Sequence, residues 1–301
     1  MLKSTDYKIA FIGFGEAASA FVTGWRREII VNICAYDIKT TQSGEIADRK
    51  LSDYARTGVA GCETHQEALV DADVVFSMVT ADQALIAATD AAQHIAKSAH
   101  FFDCNSCAPK TKQRAADLIT KAGAHYIDTA VMSPVHPKLH QTPVSICGDS
   151  PQDAMTILND LQMNATLVDG AVGKASSIKM VRSIMVKGLE ALMAECVLAG
   201  RQAGVDAEVL ESLDKSYPGF DFPTKASYML ERSMIHGIRR AAEMREVALT
   251  VNDLGLDNDM SEAIVHWQQR IGDLKLAVNE ADYQNKADEI IKALTPKRAE
   301  E

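Results

Sequence analysis

The 301 residues contain no long uninterrupted apolar run, and the opening MLKSTDYKIAFIG passes straight into a β-rich stretch without a small-residue cleavage site. A membrane-spanning helix needs about 20 consecutive apolar residues, so the pattern argues against a membrane partner and a secretory leader; a cytoplasmic protein is expected. Basic charge is also in short supply. Lys and Arg number 31 against 41 Asp and Glu, a formal net charge of −10, which repels a phosphate backbone or an anionic lipid surface. Nucleic acid is therefore not an expected partner, and a small-molecule substrate is. Cysteines occur singly at 34, 62, 147 and 196, and Cys104 and Cys107 form one CxxC. No second pair or nearby histidine completes a zinc set, so no metal is expected and the chain reads as reduced. Internal repeats and low-complexity segments are lacking as well.

What is present is a globular balance of 47% hydrophobic and 24% charged residues over a length that suits two domains. From residue 7, short β-rich runs (YKIAFIGFG, IIVNICAYD, DADVVFSMV, HFFDCN, AHYIDTAV, TPVSICGD) alternate with helical stretches such as EAASAFVTGWRRE and APKTKQRAADLITKAG. That alternation specifies a parallel sheet with crossover helices. After GAVGKAS the strand signals stop, and Gly204, Pro218, Gly219, Pro223 and Gly255 punctuate five or six helices. The fold class is thus α/β, a Rossmann-type doubly wound parallel sheet over 1–171, followed by an all-helical C-terminal domain over 172–301 for substrate binding and dimerisation. The tail TPKRAEE is expected to fray.

The first strand ends in IGFGEAASAF, which places Gly13, Gly15 and Ala18 at the GxGxxG/A positions. Gly13 permits the tight turn, Gly15 lets backbone approach a pyrophosphate, and Ala18 is small enough for helix to pack on strand. Phe14, Glu16 and Ala17 complete the turn and the helix start, whose free N–H groups favour phosphate. The second strand ends at Asp37, where a carboxylate accepts hydrogen bonds from ribose hydroxyls and repels a 2′-phosphate. NAD is the expected cofactor, with NADP possible because Lys39 lies close by.

Further along, Ser176, Lys179, Ser183, Lys187 and Glu190 fall in one stripe at about 100° per residue, while Ile178, Val181, Met185, Leu189 and Leu192 take other faces. A helix apolar on most sides is expected to be buried, with its polar stripe hydrogen-bonded or lining a wet cavity. In HGIRRAAEMREVALT, Arg239 and Arg240 have two readings: a clamp for a substrate carboxylate or phosphate, or a solvated face with Arg239 paired to Glu243 at i, i+4. His136 and His236 are surface or cleft residues.

In order and spacing these segments resemble the 3-hydroxyacid dehydrogenase family, related to 6-phosphogluconate dehydrogenase, over most of 7–255. The resemblance implies that Met78 and Val79, ending DVVFSMV, border the cofactor. FFDCNSCAPKT is similar to D-x-S-T-x-x-P and implies substrate-facing Asn105 and Ser106. YIDTAVMSPV resembles D-A-P-V-S-G-G, placing Met132 and Ser133 at the substrate loop, and GAVGKASSIKMVRS resembles the G-x-G-x-x-x-K-x-x-x-N helix, which implies Lys179 as the catalytic residue. The chain departs from the pattern in three places. Met132-Ser133-Pro134 replaces Ser-Gly-Gly, and Pro134 has no N–H to give a carboxylate. Ser183 stands where the helix asparagine is expected, and Ala242-Glu243-Met244 where the family has K-D-L. The implied activity is hydride transfer between NAD(P) and a small hydroxy, keto or imino acid or a polyol-derived substrate, with Lys179 as general acid/base and Ser183 and Arg240 among the substrate contacts. A homodimer is implied too. The competing expectations are a silent dinucleotide-binding protein and an oxidative decarboxylase of the 6-phosphogluconate type.

Overall fold

The computed structural model describes residues 3–277 and 282–295. It divides into two compact units, Met1–Met180 and Val181–Glu301. The expected fraying of the tail falls, beyond Thr295, outside the described residues.

The first unit runs through β1 (Lys3–Ile12), α1 (Glu16–Glu28), β2 (Ile29–Tyr36), α2 (Glu45–Thr57), β3 (Ala60–Gly61), α3 (His65–Leu69) and β4 (Val74–Ser77). It continues with α4 (Ala84–Ala91), β5 (His100–Asp103), α5 (Pro109–Lys121), β6 (His125–Val131), β7 (Val144–Gly148), α6 (Pro151–Asp160) and β8 (Ala165–Leu167). The strands form one sheet in the order β3-β2-β1-β4-β5-β6-β7-β8, parallel throughout except for the antiparallel β6–β7 pair. Strand order reverses between β1 and β4, the switch point at which such sheets open a ligand crevice beyond the strand ends.

Alternate side chains supply two cores, one per face, as the period of two demands. Phe11, Phe76 and Phe102 point to one side and stack across β1, β4 and β5 at centroid distances of 5.5 and 5.0 Å. Ala10, Val75 and Phe101 point to the other. Ala18, Phe21, Val22 and Trp25 recur at helical spacing on α1 and close the aromatic face.

The second unit holds five helices among the described residues: α7 (Lys174–Ala203), which starts in the first unit, α8 (Asp206–Ser216), α9 (Phe222–Asp253), α10 (Asp259–Asp273) and α11 (Tyr283–Leu294). Helices α9 and α10 touch backbone to backbone, because a Cβ on Gly237 would lie 2.5 Å from the Gln268 carbonyl oxygen. Met193, Val197, Leu230, Met234, Ile271 and Ile290 fill the core.

The first turns of α7 belong with the first unit because they are tied to the sheet. Asp128 of β6 accepts from the Gly173 and Ser176 N–H groups at 3.1 and 3.0 Å and from the Ser176 hydroxyl at 3.0 Å. One feature differs from the sequence reading: which side of α7 is covered. Ser176, Ser183, Lys187 and Glu190 are buried, while Ile178, Val181, Met185, Leu189 and Leu192 are exposed, Met185 to 63%. The polar stripe faces inward because each of its charges finds an opposite charge or a hydroxyl, as described below, and the apolar stripe is left outside.

Candidate active site

The turn after β1 is crowded at Gly13 and open at Gly15. Gly13 sits at φ +80°, its N–H donating to the Tyr36 carbonyl at 2.8 Å. A Cβ there would fall 2.5 Å from the Met78 carbonyl oxygen, so only glycine lets this turn meet the end of β4. A Cβ on exposed Gly15 would meet nothing within 4 Å. That open face, with exposed Glu16 and half-buried Ala17 starting α1, fits a pyrophosphate arriving at backbone N–H groups. The Phe14 ring is buried, edge-on to Tyr54 at 5.2 Å, so this residue offers only its backbone. Met78 and Val79 are half-buried beside the turn.

Asp37 is buried at the end of β2. Its Oδ2 accepts from the Phe14 N–H at 2.8 Å and its Oδ1 from the Lys39 N–H at 3.0 Å. Lys50 of α2 was not anticipated. Its Nζ lies 3.7 Å from Asp37 Oδ2 and 3.2 Å from Asp53 Oδ2, and it donates to the Phe14 carbonyl. The signal was available: Lys50 shares a helix face with Ala47, Tyr54 and Thr57, all buried, and a lysine on an inward face requires anionic partners.

Lys179, half-buried on the first turns of α7, donates to the Ser106 hydroxyl at 2.5 Å. The structure thus brings together two residues 73 positions apart, both marked in the sequence. Asn105 has a different place. Its amide nitrogen donates to Ser77 Oγ and Asp103 Oδ1 at 2.9 and 2.8 Å, and its oxygen accepts from the Val79 N–H at 2.7 Å. These bonds engage the side chain within the protein, where it fixes the Met78–Val79 edge. Met132 packs with Ala130, Cys147 and Ala175, and the half-buried Ser133 hydroxyl donates to the Pro134 carbonyl at 3.4 Å. His136 is exposed and His236 half-buried.

Beneath Ser106 and Lys179 lies a buried ionic frame that sequence reasoning missed. Lys112 is fully buried, 2.9 Å from Asp103 Oδ1 and 3.6 Å from Asp128 Oδ1, and also donates to the Asp103 carbonyl. Burial alone would lower the Lys112 pKa, but Asp103, the Cys107 thiol and Asp128 outweigh it and hold the ammonium above the ordinary lysine value. Tyr126 donates to Asp103 Oδ2 at 2.6 Å; burial, then the Asp103 charge, pushes its pKa well up, so the phenol keeps its proton. Burial likewise pushes the Cys104 thiol up to about 12, which makes it a poor nucleophile.

In the second unit, Lys187 donates to Ser183 Oγ at 3.2 Å and pairs with Glu243 at 3.1 Å. Arg240 is buried against Glu190, Nη1 to Oε2 2.8 Å, and exposed Arg239 meets Glu243 at 2.8 Å, the i, i+4 pair of the second arginine reading. Burial lowers the Arg240 pKa and raises that of Glu190, each opposed by the other's charge. An anion reaching Arg240 would have to compete with that carboxylate.

Residues 8–173 match the family described as the NAD binding domain of 6-phosphogluconate dehydrogenase, and 201–271 match a domain of unknown function (DUF1932). A conserved hypothetical protein from Sinorhizobium meliloti 1021 is 33% identical, with 98% of this chain and 97% of that one covered and a TM-score of 0.72. A conserved protein of unknown function, noted for its similarity to 3-hydroxyacid dehydrogenases, is 28% identical over 88% and 97% of the two chains, with a TM-score of 0.68. Mycobacterium tuberculosis 3-hydroxyisobutyrate dehydrogenase, solved with L-serine, shares the fold at 16% identity, covering 96% and 99%, with a TM-score of 0.70.

Proposed function

Because this chain belongs to the family of the NAD binding domain of 6-phosphogluconate dehydrogenase, we propose that it transfers a hydride between a nicotinamide dinucleotide and a small hydroxy, keto or imino acid. The observation that carries this reading is the Lys179–Ser106 contact. The dinucleotide supplies or accepts the hydride. The turn from Gly13 to Ala17 would hold its phosphates, Asp37 its ribose, and Met78 and Val79 would border its reacting end. As the substrate carbon gives up hydride, its hydroxyl proton passes to the Lys179 amine; in the reverse direction the Lys179 ammonium returns a proton to the oxygen. Ser106 keeps the lysine aimed by accepting its hydrogen bond. The test is a panel of small hydroxy acids, L-serine among them, and polyols, assayed for reduction of NAD and NADP in parallel. Absence of hydride transfer with every member, despite cofactor binding, would leave a silent dinucleotide-binding protein; carbon dioxide release would mark the decarboxylating type.

For the cofactor, the reading is NAD ahead of NADP through Asp37. Asp37→Ser is expected to shift the ratio of dissociation constants toward NADP, since it removes both the ribose acceptor and the repulsion of a 2′-phosphate. Equal constants in the unmodified protein would sink the preference.

For the assembly, the reading is a homodimer along α7. The exposed residues Ile178, Val181, Met185, Leu189 and Leu192 recur at three- and four-residue steps, the spacing of a helix–helix seam. Arg182 and Glu195, both exposed, stand near opposite ends of the seam, so antiparallel apposition of two copies sets unlike charges face to face, as a two-fold interface allows. Sedimentation should give twice the chain mass for the unmodified protein, and Met185→Asp should weaken association at least about tenfold by burying a charge in the seam. A monomer at micromolar concentration would refute this.

A further inference from the structure

Asp37 does not act alone at the ribose end of the site. An ionised carboxylate has about four acceptor positions, and two of those on Asp37 are taken by the Phe14 and Lys39 N–H groups. The remainder suffice for ribose hydroxyls. Its charge, however, is not left bare. Lys50 stands 3.7 Å behind it, and Asp53, 3.2 Å from Lys50, is itself held by Arg56 at 2.9 Å. Two carboxylates and two cations thus sum to zero. The three donors of Lys50 have the Phe14 carbonyl, Asp53 and Asp37 around them, and its side chain is 8% exposed. It therefore meets no ligand directly and acts on one only through the field it cancels.

We infer that Lys50 is a specificity-determining residue: by neutralising Asp37 from the protein side, it lowers the repulsion of a 2′-phosphate, so that NADP is admitted and NAD is ahead by a modest factor only. This rests on the reading of the first unit as a dinucleotide site. The pair also explains how an acid can be buried beside a phosphate-binding turn without repelling the pyrophosphate that must approach it. Removing the ammonium while keeping the side-chain volume leaves a net charge of −1, and it should be felt chiefly by the ligand with the extra phosphate.

The experiment titrates NAD and NADP separately, by protein fluorescence, into the unmodified chain, Lys50→Met, and Lys50→Met combined with Asp37→Asn. Repulsion between charges a few ångströms apart at an effective dielectric constant near 20 predicts that Lys50→Met weakens NADP at least about tenfold relative to NAD. The double variant, neutral again, should return the ratio to within about threefold of the starting value, as coupled neighbouring sites require. A ratio that stays put in Lys50→Met overturns the inference. Equal weakening of both dinucleotides also overturns it, because it leaves Lys50 only the task of shaping the turn. If neither dinucleotide binds the unmodified protein, the dinucleotide reading falls, and the inference with it, before any variant is compared. Should the methionine variant not fold, Lys50→Gln, which keeps a donor for the Phe14 carbonyl, gives the same comparison.

Discussion

Lys179→Ala is expected to bind the dinucleotide with near-normal affinity and to lose at least about 10²-fold in turnover, the lower range for deleting a general acid or base. Among the described residues, the bonds that shape the turn after β1 run through other residues. Gly13 is held by Tyr36, and Phe14 by Asp37 and Lys50. What the substitution removes is a cation donating to Ser106, and with it, on the proposed mechanism, the group that exchanges a proton with the substrate oxygen. Lys179→Arg should not restore the rate, because a guanidinium stays protonated at neutral pH and cannot serve as a base. The measurement is single-turnover hydride transfer with the substrate returned by the panel, after cofactor affinity has been checked by titration. Normal transfer in the alanine variant would take Lys179 out of the mechanism and leave it a structural residue at the start of its helix.

Lys112→Met should have the largest effect on stability. Lys112, Asp103 and Asp128 are almost wholly excluded from water, with side-chain exposures of 0%, 1% and 0%. Deleting the ammonium strands two carboxylates in a low-dielectric interior, and breaking a buried pair in this way typically costs about 3–5 kcal/mol. Whole domains are stable by only about 5–15 kcal/mol, so the urea midpoint should move far at nearly constant slope. Adding Asp103→Asn to Lys112→Met should recover part of the loss, since one uncompensated charge is then gone. A loss below about 1 kcal/mol for Lys112→Met would mean that solvent reaches the frame and compensates it.

The difference between legible and illegible features follows the range of the interactions. The geometry of the glycine turn after β1 was readable because its requirements are local: a left-handed residue at 13, room in front of 15, a small residue at 18 and an acid at the end of the next strand lie within 25 positions. Helix α1 begins and ends where its apolar spacing does. Lys179 stood out for a similar reason, as a member of a polar stripe recurring at helical spacing on one element. The bonds of Asn105 to Ser77 and Val79 were not legible, because its sequence neighbourhood says nothing about residues more than 25 positions upstream. Lys50 and Lys112 went unnoticed because a lysine is ordinarily a surface residue. Only their positions on inward helix faces betrayed them, and those faces are certain only once the helices are packed.

By itself, then, the sequence determined the alternation that makes a parallel sheet, the change from strands to helices after Gly173, and the glycine turn that follows the first strand. Each follows from backbone sterics and periodicity acting over one or two elements. Tertiary structure alone decided which side of α7 is covered. Amphipathic spacing marks two opposed stripes on that helix but not the solvent's side, and the assignment was made by Lys187 meeting Glu243 and Glu190 meeting Arg240 across 50 or more residues. Charges can be buried as matched pairs, and no local pattern records which partners will be found.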